Sequence, residues 1–463
     1  GDGAGIAGID IRMSPSMGFH DDITVEGFDY GIRMTPYHMT HNCFEYATLK
    51  NQGKAGIQLN ACSASLRKIH SVNRVPALEI TTCAAQAVVL DSRFEGQESA
   101  HPAIDARQGY VFVRDLEAPG YQAAIAENGK TSVSALRVDE YVNGQVLSLR
   151  EGQVKKSLEL PIEETPEVPW EADLSRWANV DACGAKGDGK TDDSAAVQAA
   201  LSSGKPVVYF PKAVYRLGAP VEIPATVQRM MAFYGSVNGV LSVSEASAQA
   251  LFLEDFGTSS GTNIRHPAPR TLVLSHLHCN YANENERPGA KVFINNCNGL
   301  GKTDRVFVNG RFWVRFMNTE WKMSPNFTCN RSDMWVFGYK VEGRMTNFEV
   351  INGGRLEVLG GICNEHGHDF SPEIPVLRNV DSGLCFVGLS NGPNKFDVVV
   401  EETSNGKTKK LLMRDCPPRN PGGGIREGWA NDFVIPMYVS AGGESADREK
   451  RRQIGRASCR ERV

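Results

Sequence analysis

Long apolar runs are missing from this chain. Nothing approaches 18 consecutive apolar residues, so no segment is built to cross a bilayer as a helix. Excess charge of either sign is missing too. Lys and Arg total 50 against 54 Asp and Glu, for a net charge of −4. No basic cluster breaks that balance before the last residues, so a nucleic acid is not an expected partner. None of the 11 cysteines stands in a CxxC pair, and none shows zinc spacing. The chain opens on Gly1 with no signal peptide, which leaves its compartment open. Glycine, in contrast, is plentiful, with 46 in 463 residues that are 41% apolar and 22% charged. That composition is globular and turn-rich, and the length exceeds one ordinary domain.

The first 150 residues repeat. Val25, Leu49, Ile69, Leu90, Leu116 and Val138 head short apolar strands at steps of 24, 20, 21, 26 and 22. A second series, Ile32, Ile57, Leu78, Ile104, Ile125 and Val146, follows with similar steps. Each unit therefore holds at least two short strands joined by Gly, Asn or Asp turns. A period of 20 to 26 without helical spacing predicts a β-solenoid, each coil hydrogen-bonded to the next at ~4.8 Å. Cys43, Cys62 and Cys83 sit at nearly that period and are expected to stack as small buried residues rather than form disulfides.

The periodicity stops near Leu160. Pro161-Ile-Glu-Glu-Thr-Pro-Glu-Val-Pro-Trp170 reads as an extended linker, 161–176. A second β-domain, 177–440, is expected to open on a helix over 192–203, with Asp192 or Asp193 capping it and Gly204 closing it. Gly338 and Gly360, 22 apart, mark the return of the coil period. The expected fold is thus all-β: two tandem right-handed parallel β-helices, 1–160 and 177–440, the second opened by a capping α-helix. Gly184-Ala-Lys-Gly-Asp-Gly-Lys190-Thr191 matches the phosphate-binding pattern GxxxxGK[ST] in letters. Asp188, Asp192 and Asp193 crowd it with negative charge, and β-units follow it, so nucleotide binding is not expected.

Cys183-Gly-Ala-Lys-Gly-Asp-Gly-Lys-Thr-Asp-Asp193, with Ala195–Ala200 and Val208-Tyr-Phe-Pro211, resembles the opening of a pectate-lyase-superfamily β-helix. The layout from Gly1 to about Ser440 resembles glycoside hydrolase family 55, the exo-β-1,3-glucanases built from two tandem β-helices. That resemblance implies a polysaccharide-active glycoside hydrolase with its site in a cleft between the helices. It implies a first helix missing its start, a secreted or periplasmic location and a monomer, and it brings no cofactor. Met334–Gly343 and Asn352–Gly361 resemble the family's catalytic coils, which carries the general acid onto Glu342. A second family glutamate falls on Glu320, after Met317-Asn-Thr, and a water-holding glutamine is placed by position on Gln52. Val341 and Cys363–Asp369 depart from the family's pattern. At the other end, 441–463 is a tail, and Ile454–Val463 resembles a translated sequencing adapter.

The residues carry some of this chemistry by themselves. Glu320 and Glu342 are 22 apart, one coil, so their Cα atoms are expected ~5 Å apart. Glycoside hydrolysis needs two carboxyl groups, one protonated and one ionised, and neighbouring carboxylates favour that division. Asn298 and Asn364 continue the same spacing, so a polar ladder of solvated side chains is the alternative. Trp313, Trp321 and Trp335 crowd 23 residues. Trp321 and Trp335 are candidates for stacking on sugar rings, with core filling as the alternative. His276-x-His278 and His366-x-His368 are not expected to bind metal. A polysaccharide lyase, or a non-catalytic carbohydrate-binding β-helix, remains the alternative function.

Overall fold

The structure is a computed structural model that describes residues 5–12, 18–35, 40–82, 85–150, 156–257, 261–282, 289–300, 305–319, 324–369, 371, 373–391, 396–417 and 434–440. It is a parallel β-helix architecture. The first solenoid has two seven-stranded sheets, and the second has one twelve-stranded and two six-stranded sheets. One α-helix, α1 (Ser194–Leu201), occurs among the described residues.

The second apolar series is a true column. Ile9, Ile32, Ile57, Leu78, Ile104 and Ile125 stand in register on successive coils. The last member expected there, Val146, instead pairs with Met437 of the second solenoid. The chain therefore leaves the first solenoid just after the strand Arg137–Val142, ahead of its proline-rich segment. The other series slips. Leu49 stands beside Ser71 rather than Ile69, because the third coil breaks its strand into Ser63–Arg67 and His70–Val72 around Lys68 at φ 51°. Cys43 and Cys62 do not stack either. Cys43 is in register with Ser65, Cys62 precedes that strand, and Cys83 lies outside the described residues. Every cysteine described is a free thiol.

Left-handed residues recur from coil to coil along the bends. In the first solenoid these include Asp22, Tyr46, Lys68, Asp91 and Asp115. In the second they include Asn296, Phe316, Gly338, Gly360 and Gly388. The glycines are needed for two reasons. Gly338 has φ 81°, and a Cβ there would lie 2.2 Å from Cys43 Sγ; at Gly360 it would lie 2.2 Å from Ser65 Oγ. The first solenoid thus presses its side chains into the bends of the second.

Added elements cover the last coil of each solenoid and the first coil of the second. Arg137–Val142 and Lys130–Val133 add antiparallel to the last coil of the first solenoid. Lys407–Leu412 and Val434–Ser440 do the same at the end of the second. Antiparallel addition turns a growing parallel stack into a finished edge. At the start of the second, α1 packs Val197, Ala200 and Leu201 into the core. The helix is shorter than 192–203. Asp192 Oδ1 accepts from its first N–H, that of Ser194, at 3.0 Å, whereas Asp193, at the N-cap position, makes no side-chain bond to the helix. Its carboxylate accepts from the backbone N–H groups of Lys186 (2.6 Å) and Gly187 (3.1 Å). In the phosphate-loop lookalike, Asp188 accepts from the N–H groups of Lys190 and Thr191, both at 2.8 Å, so a carboxylate fills the place a phosphate would take.

The solenoids lie side by side and run in the same sense. His41–Lys50 lies against Gly310–Thr319 and Asp333–Arg344, and Gln86–Glu95 lies against Arg355–Asp369 and Gly383–Asn391. The seam is apolar, with Cys43, Val88 and Phe112 meeting Trp313, Trp335 and Val387. The linker is laid along it. Trp313 Nε1 donates to the Pro161 carbonyl at 2.9 Å, and Glu163 pairs with Lys291 (2.5 Å) and Arg311 (2.8 Å). Within the seam Glu45 holds Arg67 at 3.0 Å and Arg315 at 2.8 Å, with all three side chains 2% exposed. Replacing Glu45 by Ala leaves two buried guanidinium groups short of a carboxylate. The expected loss is about 3–5 kcal/mol, read as a lowered midpoint in urea unfolding.

Candidate functional site

Glu342 sits near the end of the strand Asp333–Arg344, past the Gly338 bend. Side chains alternate there. Tyr339 and Val341 enter the core of the second solenoid, which puts Lys340 and Glu342 on the opposite, outer face. Glu342 is 25% exposed. Lys340, 2% exposed, places its ammonium 2.5 Å from Glu342 Oε1. Glu342 stands in register with Asn364 on the next coil, whereas Asn298 belongs to the column of Asn318 and Lys340. The step from Asn298 to Asn318 is 20 residues rather than 22, so Asn298 does not join the column of Glu342. Thr319 pairs with Val341, the last register position described before Glu320. Glu320 and Trp321 lie outside the described residues, as does the tail with Ile454–Val463.

The other candidates are brought elsewhere. Trp335 is 1% exposed inside the seam, stacked on Phe337 at 5.5 Å, so it has no face for a sugar. Burial of its ring between the solenoids explains the aromatic crowding that the sequence shows. Gln52 is tied into the first solenoid's own turns. Its Nε2 donates to the Lys50 carbonyl at 2.8 Å and the Gly27 carbonyl at 3.0 Å, and its N–H donates to Asn73 Oδ1 at 2.7 Å. Exposed aromatic faces occur at Trp170 of the linker (57%) and, on the first coils of the second solenoid, at Phe233 (55%) and Tyr234 (68%). Phe233 follows the strand Arg229–Met231, five strand steps from Asp333–Arg344, or ~24 Å. His276 lies 3.6 Å from Asp255 Oδ1, and no group of three metal-ligating side chains occurs among the described residues.

The sequence reading missed a polar column on the first solenoid. His41, Ser63 and Gln86 stand in register and face the bends at Gly338, Gly360 and Gly388. His41 Nδ1 meets Ser63 Oγ at 2.9 Å, and Nε2 meets Ser65 Oγ at 3.1 Å. Gln86 is buried, and neither its amide oxygen nor its nitrogen has a protein partner. On the second solenoid Asn318 Oδ1 and Thr319 Oγ1 are likewise buried without one. Unsatisfied buried polar atoms at a seam edge are where ordered water or a ligand belongs. The only sequence signal for this column is that its members fall at coil period opposite small residues.

The second solenoid opens on a turn stapled by aspartates, with α1 packed over its first coils. Residues 177–263 match the family described as rhamnogalacturonase A/epimerase, pectate lyase-like. The match spans the capping helix and the first coils of the second solenoid and supports a pectate-lyase-superfamily β-helix. No curated protein matches the chain.

Burial lowers His41 to about 3, against about 6.5 in an unfolded chain. The imidazole is therefore neutral when folded, and between these values the unfolded chain binds the extra proton. His41 leaves stability intact above pH 6.5 and removes about 1.4 kcal/mol per pH unit as pH falls from there towards 3. His266, lowered to about 4 chiefly by burial, acts in the same direction. Urea midpoints at pH 7 and pH 5 should differ less in His41→Gln than in the parent, by about one proton's linkage.

Proposed function

We propose that the chain is a polysaccharide-active enzyme, a glycoside hydrolase acting at the edge of the seam. The carrying observation is Glu342: a carboxyl on the outer coil face with one oxygen held by Lys340. Glu342 is the general acid or base of this reading, and Glu320 is its partner carboxyl. Gln86, with both amide atoms unpartnered, takes the water-holding role first assigned to Gln52. An exo-β-1,3-glucanase-like specificity follows from the resemblance to glycoside hydrolase family 55. The match to a rhamnogalacturonase-like family supports pectic polysaccharides as the second substrate class. That same match keeps a lyase as the alternative. The proposed substrate is a neutral or pectic glycan, and the protein is read as a monomer acting outside the cytoplasm.

A screen on laminarin, rhamnogalacturonan and polygalacturonate separates the two chemistries. Hydrolysis releases reducing ends without ultraviolet absorbance, whereas a lyase also generates unsaturated uronates that absorb. On the substrate that is cleaved, Glu342→Gln should lower the rate by about 10²–10⁴-fold with little change in melting temperature. Wild-type turnover in that variant would end this reading.

A further inference from the structure

We propose that Lys340 is the positioning residue of this site, which rests on the reading of Glu342 as its reacting carboxyl. Three observations carry it. First, Lys340 is 2% exposed, and an ammonium is buried at high cost unless a counter-charge meets it. Glu342 Oε1 meets it at 2.5 Å. Second, the two residues lie two apart on one strand and share its outer face, while Tyr339 and Val341 are locked in the core on either side of Lys340. The backbone between ammonium and carboxyl therefore has little freedom to turn. Third, the Gly338 bend, at φ 81° and wedged against His41 and Cys43, fixes the direction in which this strand leaves the seam. One carboxyl oxygen is thus clamped from beneath. The 25% exposure of the side chain leaves the other side of the carboxyl open to a substrate.

An unclamped glutamate samples several rotamers, and misplacing a reacting group by about 1 Å costs ~10²-fold in rate. Lys340 removes that freedom without touching the glycan. Arginine keeps the charge but changes the reach and shape of the clamp, so it restores the function only in part.

The test has one arm that needs no substrate. Urea midpoints are compared for the parent, Lys340→Met, Glu342→Gln and the double variant. Lys340→Met should lower the midpoint more in the parent than in the Glu342→Gln background. An equal loss in both backgrounds means that the pair does not form, and the proposal falls. The second arm uses whichever polysaccharide of the panel the parent cleaves. Lys340→Met should lose about 10²-fold in kcat with KM within about twofold, and Lys340→Arg should recover at least tenfold. If Lys340→Met does not fold, Lys340→Gln carries the same comparison. Parental kcat in Lys340→Met, beside an inactive Glu342→Gln, overturns the positioning role and leaves Glu342 standing. Full activity in Glu342→Gln, or a parent inactive on every polysaccharide, removes the reading of the site and this role together.

Discussion

One carboxylate, Glu45, reaches guanidinium groups on two different solenoids. It binds Arg67 of its own solenoid and Arg315 of the other, and Glu164 of the linker joins both from the solvent side. A charge set this deeply buried is weak evidence for net stability. It is strong evidence for register, because any sliding of one coil stack against the other would strand a charge in an apolar seam. The apolar contacts of Trp313, Trp335 and Phe112 supply most of the attraction, and they tolerate sliding far better. The ionic cluster therefore decides which coil faces which.

That register is what builds the edge of the seam. With Glu45 opposite Arg315, Cys43 donates to the Phe337 carbonyl and Ser65 to the Leu359 carbonyl, each one coil on from the last. These contacts need the bare backbone of Gly338 and Gly360. The polar column then comes to rest along the bends, with His41 at Gly338, a few residues before Lys340 and Glu342, and Gln86 at Gly388, two coils on. The expected open cleft between the solenoids is, over the described residues, a packed interface. The proposed site is left to its margin, where strands turn away past the bends. Burial sorts the polar groups along this path: His41 is forced neutral, while Glu342 stays partly in water beside a buried ammonium.

Some of this was readable from residue order. The Ile/Leu column of the first solenoid shows itself because its members fill one interior line with little tolerance for size. The glycines 22 apart show themselves because a left-handed bend recurs from coil to coil. Glu342 is legible as a turn-proximal acid on the strand of a catalytic-like coil. Ile69 misled because a broken strand shifts register without changing apolar content. Trp335 misled because an aromatic at coil period looks the same whether it faces sugar or a second solenoid.

The sequence by itself determined the β-solenoid class, the coil period, the aspartate-rich opening of the second domain and the presence of an acidic residue past a coil's bend. These follow from local chemistry: side-chain alternation, glycine and asparagine at bends, and carboxylates that satisfy nearby backbone N–H groups. Only the tertiary structure decided what lies opposite what. The pairing of Lys340 with Glu342, the burial of Trp335, the withdrawal of Gln52 into a turn and the emergence of Gln86 all depend on burial and on side-chain direction. Two of them, Trp335 and Gln86, depend further on how two separately folded coil stacks are set against each other. That setting is fixed by contacts between residues some 270 positions apart, such as Glu45 and Arg315, which no local pattern records.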